Sequence, residues 1–199
     1  MKKFELTSET NINVFGKKLF RIKALISFGC VEAGETGGWV EKEENLSQSG
    51  DAWVYDNAKV YGNAKVRDNA KVYGNTKVCD DTLVCGDALV YGDAWVCGDA
   101  CVRGNAKVCG NAWVCGDAWV CGNADYTTIH GFGTQFRTTT FFRCKDKAVR
   151  VSCGCFFGTI SEFREQVKKT RSGKIAEDYL AIADLMEKHF EKEENHGRR

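Results

Sequence analysis

From Gly50 to Cys121 the chain reads without a gap as twelve hexads: GDAWVY, DNAKVY, GNAKVR, DNAKVY, GNTKVC, DDTLVC, GDALVY, GDAWVC, GDACVR, GNAKVC, GNAWVC and GDAWVC. A partial thirteenth, GNA, ends at Ala124. Position five is valine in all twelve, from Val54 to Val120, and position three is alanine in ten, with Thr76 and Thr82 the two exceptions. Residues two apart on a strand point the same way, so a small and a β-branched residue share one interior. Positions one and two are Gly or Asp followed by Asp or Asn, the residues that tolerate corners and left-handed backbone. Valine every six residues does not fit a 3.6-residue period. The hexads therefore predict a coiling chain of short strands and corners.

An aliphatic residue followed four positions later by a small one, as in Val54 and Ala58, resembles the hexapeptide-repeat family. That resemblance implies a left-handed parallel β-helix with three hexads per triangular coil, hence four regular coils from the twelve hexads. With strands about 4.8 Å apart the repeat would be roughly 20 Å long. Trp39-Val40 mimics positions four and five, Leu46 follows six residues later, and Val54 follows Leu46 by eight, a two-residue insertion at a corner. Residues 1–49 are thus expected to form a cap and an irregular first coil, with Leu19 to Phe28 strand-like. A cap is needed because a β-helix end exposes unpaired strand edges.

At eighteen residues per coil, positions four and six sort onto three outward faces. The first stacks Tyr55, Tyr73, Tyr91 and Cys109 beside Trp53, Lys71, Leu89 and Lys107. The second stacks Tyr61, Cys79, Cys97 and Cys115 beside Lys59, Lys77, Trp95 and Trp113. The third stacks Arg67, Cys85, Arg103 and Cys121 beside Lys65, Leu83, Cys101 and Trp119. Stacked like residues stabilise neighbouring coils. Trp95 and Trp113, flanked by Cys97 and Cys115, also form a patch apolar enough to call for a cover. The C-terminal segment or a second subunit is the expected cover, with Trp119 a further contact. A dimer or trimer is expected, as trimers are frequent in the resembling family.

Composition narrows the classes further. The 199 residues carry 28 basic and 27 acidic side chains, a net charge of +1, with 21 glycines, 11 cysteines and no proline. The near-zero charge gives no global pull towards nucleic acid or membrane, and no apolar run approaches the ~18–20 residues of a membrane span. Without a signal-like apolar start, an odd number of cysteines points to free thiols in a reducing cytoplasm. Seven of the eleven sit at outward hexad positions, where they serve as small soft fillers. A flat ladder of Cys79, Cys97 and Cys115 does not converge on the tetrahedral geometry of structural zinc. Absent proline suits a chain in which every hexad donates to a continuous ladder.

After Ala124 the hexads stop. Asp125–Gly133, Phe136–Cys144 and Ala148–Cys153 read as three strands. Thr159-Ile-Ser-Glu162 is a capping box opening a helix with Ile160, Phe163 and Val167 on one side. Ser172-Gly173 breaks it, and Ile175, Tyr179, Ile182, Met186 and Phe190 mark a second helix. Residues 125–199 are therefore a small β-β-β-α-α unit with a charged, fraying tail from Glu191. Its FRTTTFFRCKD and VRVSCGCFFGTISEFREQVK stretches, with FGKKLFRIKAL near the start, are similar to uncharacterised gut-bacterial and phage proteins that carry hexapeptide-like repeats. That resemblance implies a phage or prophage setting and no activity.

Acyl transfer from coenzyme A, which the hexapeptide resemblance implies, uses a histidine base near a subunit boundary. The three histidines are His130, His189 and His196, none in the hexads; His130, in IHGFG, is the catalytic candidate. A carbonic anhydrase branch would need three histidines in the coils. Cys144, Cys153 and Cys155, with His130, are candidate zinc ligands, although Cys-x-Cys is less usual than Cys-x-x-Cys and both sulfurs can face a core. Arg137, Arg143, Lys145, Lys147 and Arg150 interleave with Phe132, Phe136, Phe141 and Phe142, a pattern that can stack bases of single-stranded nucleic acid. Residues 125–199 carry 14 basic and 11 acidic side chains, a net of only +3, which disfavours that reading.

The expectation is a binding protein without cofactor or catalysis. A rigid β-helix self-associates and presents a C-terminal unit to a protein partner through Arg137, Arg143 and Arg150, and in a phage setting that partner is a host defence protein. The alternatives are a hexapeptide-type acyltransferase using His130, and RNA or single-stranded DNA binding by the C-terminal sheet.

Overall fold

The computed structural model describes residues 1–194. The chain divides between Asn123 and Ala124 into two compact units. No helix among the described residues is long and apolar enough to cross a membrane.

The first unit is a β-solenoid of about five turns. Three strands precede the repeat: β1 (Phe4–Ile12), β2 (Lys18–Ala24) and β3 (Thr36–Val40). Positions four and five of each hexad then form one two-residue strand, giving β4–β15 from Trp53–Val54 to Trp119–Val120. Each pairs in parallel with the strand eighteen residues away, as in Lys59 with Lys77 and Lys77 with Trp95. The three stacks are the three faces read from the hexads. All twelve fifth-position valines are 0 % exposed, and every third-position residue is buried. Thr76 and Thr82 keep their buried hydroxyls satisfied by donating to the Tyr73 carbonyl at 2.7 Å and the Gly98 carbonyl at 3.4 Å.

The corners follow from backbone chemistry. The first residue of every hexad has a positive φ, between 51° at Asp56 and 81° at Gly92. Nine of the twelve are glycine, for which this region carries no Cβ penalty. Asp56, Asp68 and Asp80 are the three that are not, and each has a second job. Their carboxylates accept the backbone N–H of Gly74, Gly86 and Gly98, one coil on, at 3.0–3.1 Å. A parallel ladder at position two joins the Asn63, Asn69 and Asn75 amides to Asp81, Asp87 and Asp93, each at 3.0 Å.

The expected two-residue insertion is present. Trp39 pairs with Lys59 and Leu46 bridges Val66, offsets of twenty residues instead of eighteen. Upstream, β1 and β2 form an antiparallel hairpin that continues the second face's sheet through β3. Trp53 has an outward position in the hexad but is 0 % exposed, because Phe4 and Phe28 of the cap meet it edge-on at 6.2 and 5.4 Å.

The second unit is an antiparallel sheet of four strands in chain order: β16 (Tyr126–Phe132), β17 (Arg137–Arg143), β18 (Val149–Cys153) and β19 (Phe156–Thr159). The fourth strand adds to the three expected. Gly154, at φ 61°, and Cys155 make a two-residue turn that sets Cys153 opposite Phe156, so the chain folds back before the helix begins. Helices α1 (Ile160–Thr170) and α2 (Gly173–Glu194) follow. The capping box forms, with Thr159 Oγ1 accepting the Glu162 N–H and the Glu162 carboxylate accepting the Thr159 N–H. Phe141 and Val151 of the sheet pack with Phe163, Val167, Ile182 and Met186 into one core. The tail expected to fray from Glu191 is helical through Glu194, and His196 lies outside the described residues.

Candidate functional site

Two places gather the residues singled out from the sequence: the second face of the solenoid and a cleft in the C-terminal unit. On the second face, Trp95 and Trp113 stack in parallel, ring centroids 5.3 Å apart and planes 8° apart. Each indole N–H donates to the sulfur of the preceding coil, Trp95 to Cys79 and Trp113 to Cys97, both at 3.3 Å. Lys77 lies 5.2 Å over the Trp95 ring, a cation–π contact. Trp95, Trp113, Cys97 and Cys115 are half-buried, as is Trp119 on the third face, where Arg103 lies 4.6 Å over its ring.

The N-terminal part of the second face is covered by the chain's own hairpin, a cover that the hexads do not signal. Leu19 of β2 packs with Trp39, Tyr61 and Cys79, and the hairpin tip brings Phe15 to 6.4 Å from both Tyr61 and Trp95. Tyr61 and Cys79 are buried there, while Phe15 remains 60 % exposed. The sign of this cover was present as an apolar Val14-Phe15 in an otherwise polar turn. Which face it meets depends on the long-range pairing of β2 with β3.

Three thiols of these faces, Cys79, Cys97 and Cys101, are held protonated. The neighbouring Cys97 thiol and burial push Cys79 up, the Cys115 thiol pushes Cys97 up to about 11, and burial pushes Cys101 up to about 11. Burial likewise raises Tyr55 to about 12 and raises Tyr61. Such groups stay neutral in the fold while the unfolded chain ionises. Their contribution is complete below the ordinary thiol value of about 9 and is lost as pH climbs through 11. For Cys101, 5 % exposed, the loss is of order 3 kcal/mol. Lys3 opposes this: burial lowers its ammonium to about 8, with Asp51 pulling the other way, so that group favours the fold more as pH rises from 8 towards 10.5. One lysine stands against several thiols and tyrosines. Urea denaturation under reducing conditions is expected to show stability falling by a few kcal/mol between pH 9 and 11. A flat or rising profile would contradict the burial of these groups.

In the C-terminal unit, the β16–β17 turn, the β18–β19 turn, the end of α1 and the start of α2 enclose a cavity of about 160 Å³. It brings Arg137, Cys153 and Cys155 together with Arg171 and Tyr179. Cys153 is half-buried, and its sulfur accepts the Thr139 hydroxyl at 3.2 Å; Cys155 is exposed on the turn. The Tyr179 hydroxyl donates to the Phe132 carbonyl at 3.1 Å.

The remaining candidates lie elsewhere. Cys144 is buried at the β17–β18 turn, outside the cleft, with its N–H donating to the Ala148 carbonyl. His130 is exposed on the edge strand β16, its Nδ1 3.0 Å from the Thr138 hydroxyl. Among the described residues, no group of three or more His, Cys, Asp or Glu side chains with metal-ligand spacing includes Cys153, Cys155 or His130. Arg143 is committed within the unit: it donates to the Phe190 carbonyl at 2.6 Å, lies over the Phe190 ring and faces Asp125 at 3.6 Å. Arg150 pairs with Asp146 at 2.7 Å. Phe141 and Phe142 are fully buried, whereas Phe136 is 68 % exposed.

The family described as YdcK Beta solenoid repeat matches residues 84–98, a short stretch within the solenoid. No curated protein matches the chain.

Proposed function

We propose that the protein is a binding scaffold: a β-solenoid that self-associates through its second face and carries a C-terminal unit for recognising a protein partner. The observation behind this reading is the Trp95–Trp113 stack. It is a flat aromatic surface on a rigid ladder, and the hairpin tip brings to it Phe15, which is itself mostly exposed. Indoles on a preordered backbone lose little conformational freedom when covered, which is why tryptophan is enriched where binding energy concentrates. Two copies meeting over Phe15 and Trp95 would give a symmetric, self-complementary patch. In the phage setting that the sequence resemblance implies, the partner of the C-terminal unit would be a host defence protein.

Sedimentation equilibrium tests self-association. The expected mass is two or three times the 22.1 kDa of one chain. Trp95→Glu and, separately, Phe15→Glu should shift it towards one chain with the thermal midpoint of Phe15→Glu little changed. A monomer at all accessible concentrations would rule this role out.

A further inference from the structure

The cleft of the C-terminal unit has a charge pattern that the fold itself does not require. Arg143, Arg150 and Arg164 each face a carboxylate: Asp125, Asp146, and the pair Asp184 and Glu187. Arg137 and Arg171 are in no ion pair among the described residues; the Arg171 guanidinium donates only to the neighbouring Thr170 carbonyl, at 3.1 Å, its backbone N–H capping α1 at the Val167 carbonyl. Both arginines line the cavity, and among the described residues its lining includes no Asp or Glu. Two cations placed at one cavity without a counter-charge repel each other, and an anion between them removes that cost.

Backbone geometry holds the cavity open from both turns. Gly133 has φ 71°, and a Cβ there would stand 2.7 Å from the Tyr179 hydroxyl oxygen. Gly154 has φ 61°, and a Cβ there would run into Nη1 of Arg137. Each turn has the left-handed backbone that favours glycine, and the missing Cβ leaves room for the polar group beside it. Tyr179 feels the same convergence: burial raises its hydroxyl, while Arg171 and Arg137 pull it the other way. Beneath the polar rim, Phe156, Phe163 and Val167 supply an apolar wall, and Phe163 and Val167 also belong to the core. At ~30 Å³ per water, the cavity of about 160 Å³ has room for a ring-sized organic molecule.

We propose that this cleft binds a small organic anion, a carboxylate or phosphate group carried on an apolar body. Arg137 and Arg171 hold the oxyanion, and the Phe156 side receives the body. Anion binding does not depend on self-association: a monomer would retain it.

Isothermal titration of the full chain at low salt with benzoate, phenyl phosphate and the neutral isostere benzamide tests it. At least one of the two anions should bind saturably, about tenfold or more tighter than benzamide, and its affinity should fall as salt screens the charges. Comparing benzoate with phenyl phosphate identifies which oxyanion the site prefers. The Arg137→Gln/Arg171→Gln double variant should lose at least about tenfold in affinity, and Arg137→Lys/Arg171→Lys should recover part of it. Both positions are exposed, and an unchanged circular dichroism spectrum would confirm that the variants fold. No saturable binding of either anion, equal binding of benzamide, or affinity unchanged in the Gln double variant would overturn the proposal.

Discussion

Gly98→Ala is expected to cost about 2–5 kcal/mol of unfolding free energy, and Gly110→Ala only about 1–2 kcal/mol. Both glycines open a hexad, and both have left-handed backbone, φ 73° and 66°. An alanine at either pays the same Cβ strain of roughly 1–2 kcal/mol. The difference lies in what stands one coil on. A Cβ at Gly98 would be 2.8 Å from the Gly116 nitrogen and 2.9 Å from its oxygen, and nothing within 4 Å faces a Cβ at Gly110. The atoms at Gly116 are backbone, so they cannot move aside as a flexible side chain would. Over-packing of that kind adds typically 1–3 kcal/mol. Urea midpoints of the two variants separate strain from crowding; equal losses would mean that the coils do not stack corner on corner. Asp80 shows how a corner without glycine survives. Its φ is 62°, and it offsets the strain by accepting the Gly98 N–H at 3.0 Å, using a side chain short enough to reach along the stack.

The interior and the corners were legible because each is stated twelve times over. Val54 to Val120 and their partnering alanines give the inside, Gly or Asp gives the turn, and eighteen residues per coil then place Lys59, Lys77, Trp95 and Trp113 in one column, as observed. A repeated signal averages out the ambiguity of any single short strand. The N-terminal cover was not legible, because Phe15 and Leu19 occur once each and their target is fixed by β2–β3 pairing across a loop. β19 was missed for a related reason: Phe156-Phe157-Gly158-Thr159 is short, and only the Gly154 turn shows that it reverses direction. The cleft was half legible. Arg137, Cys153 and Cys155 were singled out, but their meeting with Arg171 and Tyr179 needs the strand register and the helix packing together. Arg143 belongs with the same basic run in sequence, yet its place over Phe190 makes it a clamp on the end of α2.

Asn45→Asp, a change of one amide to a carboxylate with no change of shape, is expected to be among the most damaging substitutions in the solenoid. The reason is the polarity of the ladder. The strand amides of each coil donate to carbonyls of the next, as Lys59 does to Thr76 and Lys77 to Ala94, so the carbonyls of the first coil point outward at the N-terminal end with no coil to pair them. Buried carbonyls left so would each cost about 1–3 kcal/mol. The cap must therefore supply donors. It does so with the amides of Trp39, Glu41 and Ser47, which reach Ala58, Val60 and Val66. The Lys3 ammonium reaches Ala52 at 2.9 Å and Gly50 at 3.2 Å, and the Asn45 side-chain amide reaches Ala64 at 2.8 Å and Gly62 at 3.1 Å. Asn45 is 0 % exposed, and its Oδ1 accepts the Lys42 N–H at 3.0 Å. An aspartate keeps that last bond but turns an acceptor oxygen towards two carbonyl oxygens, adding a buried charge to two lost hydrogen bonds. The expected loss at neutral pH is roughly 3–5 kcal/mol. Such a carboxyl has its folded value raised above the unfolded one, so the variant regains stability as pH falls and the protonated acid donates to one of the carbonyls. Denaturation at pH 5 and pH 7.5 reads this directly, with the gap between variant and parent narrowing at the lower pH. Asn45→Leu, which removes the donors without adding charge, should lose less and show no such pH dependence. A variant whose deficit is the same at both pH values would mean that the Asn45 amide is not what closes the N-terminal end.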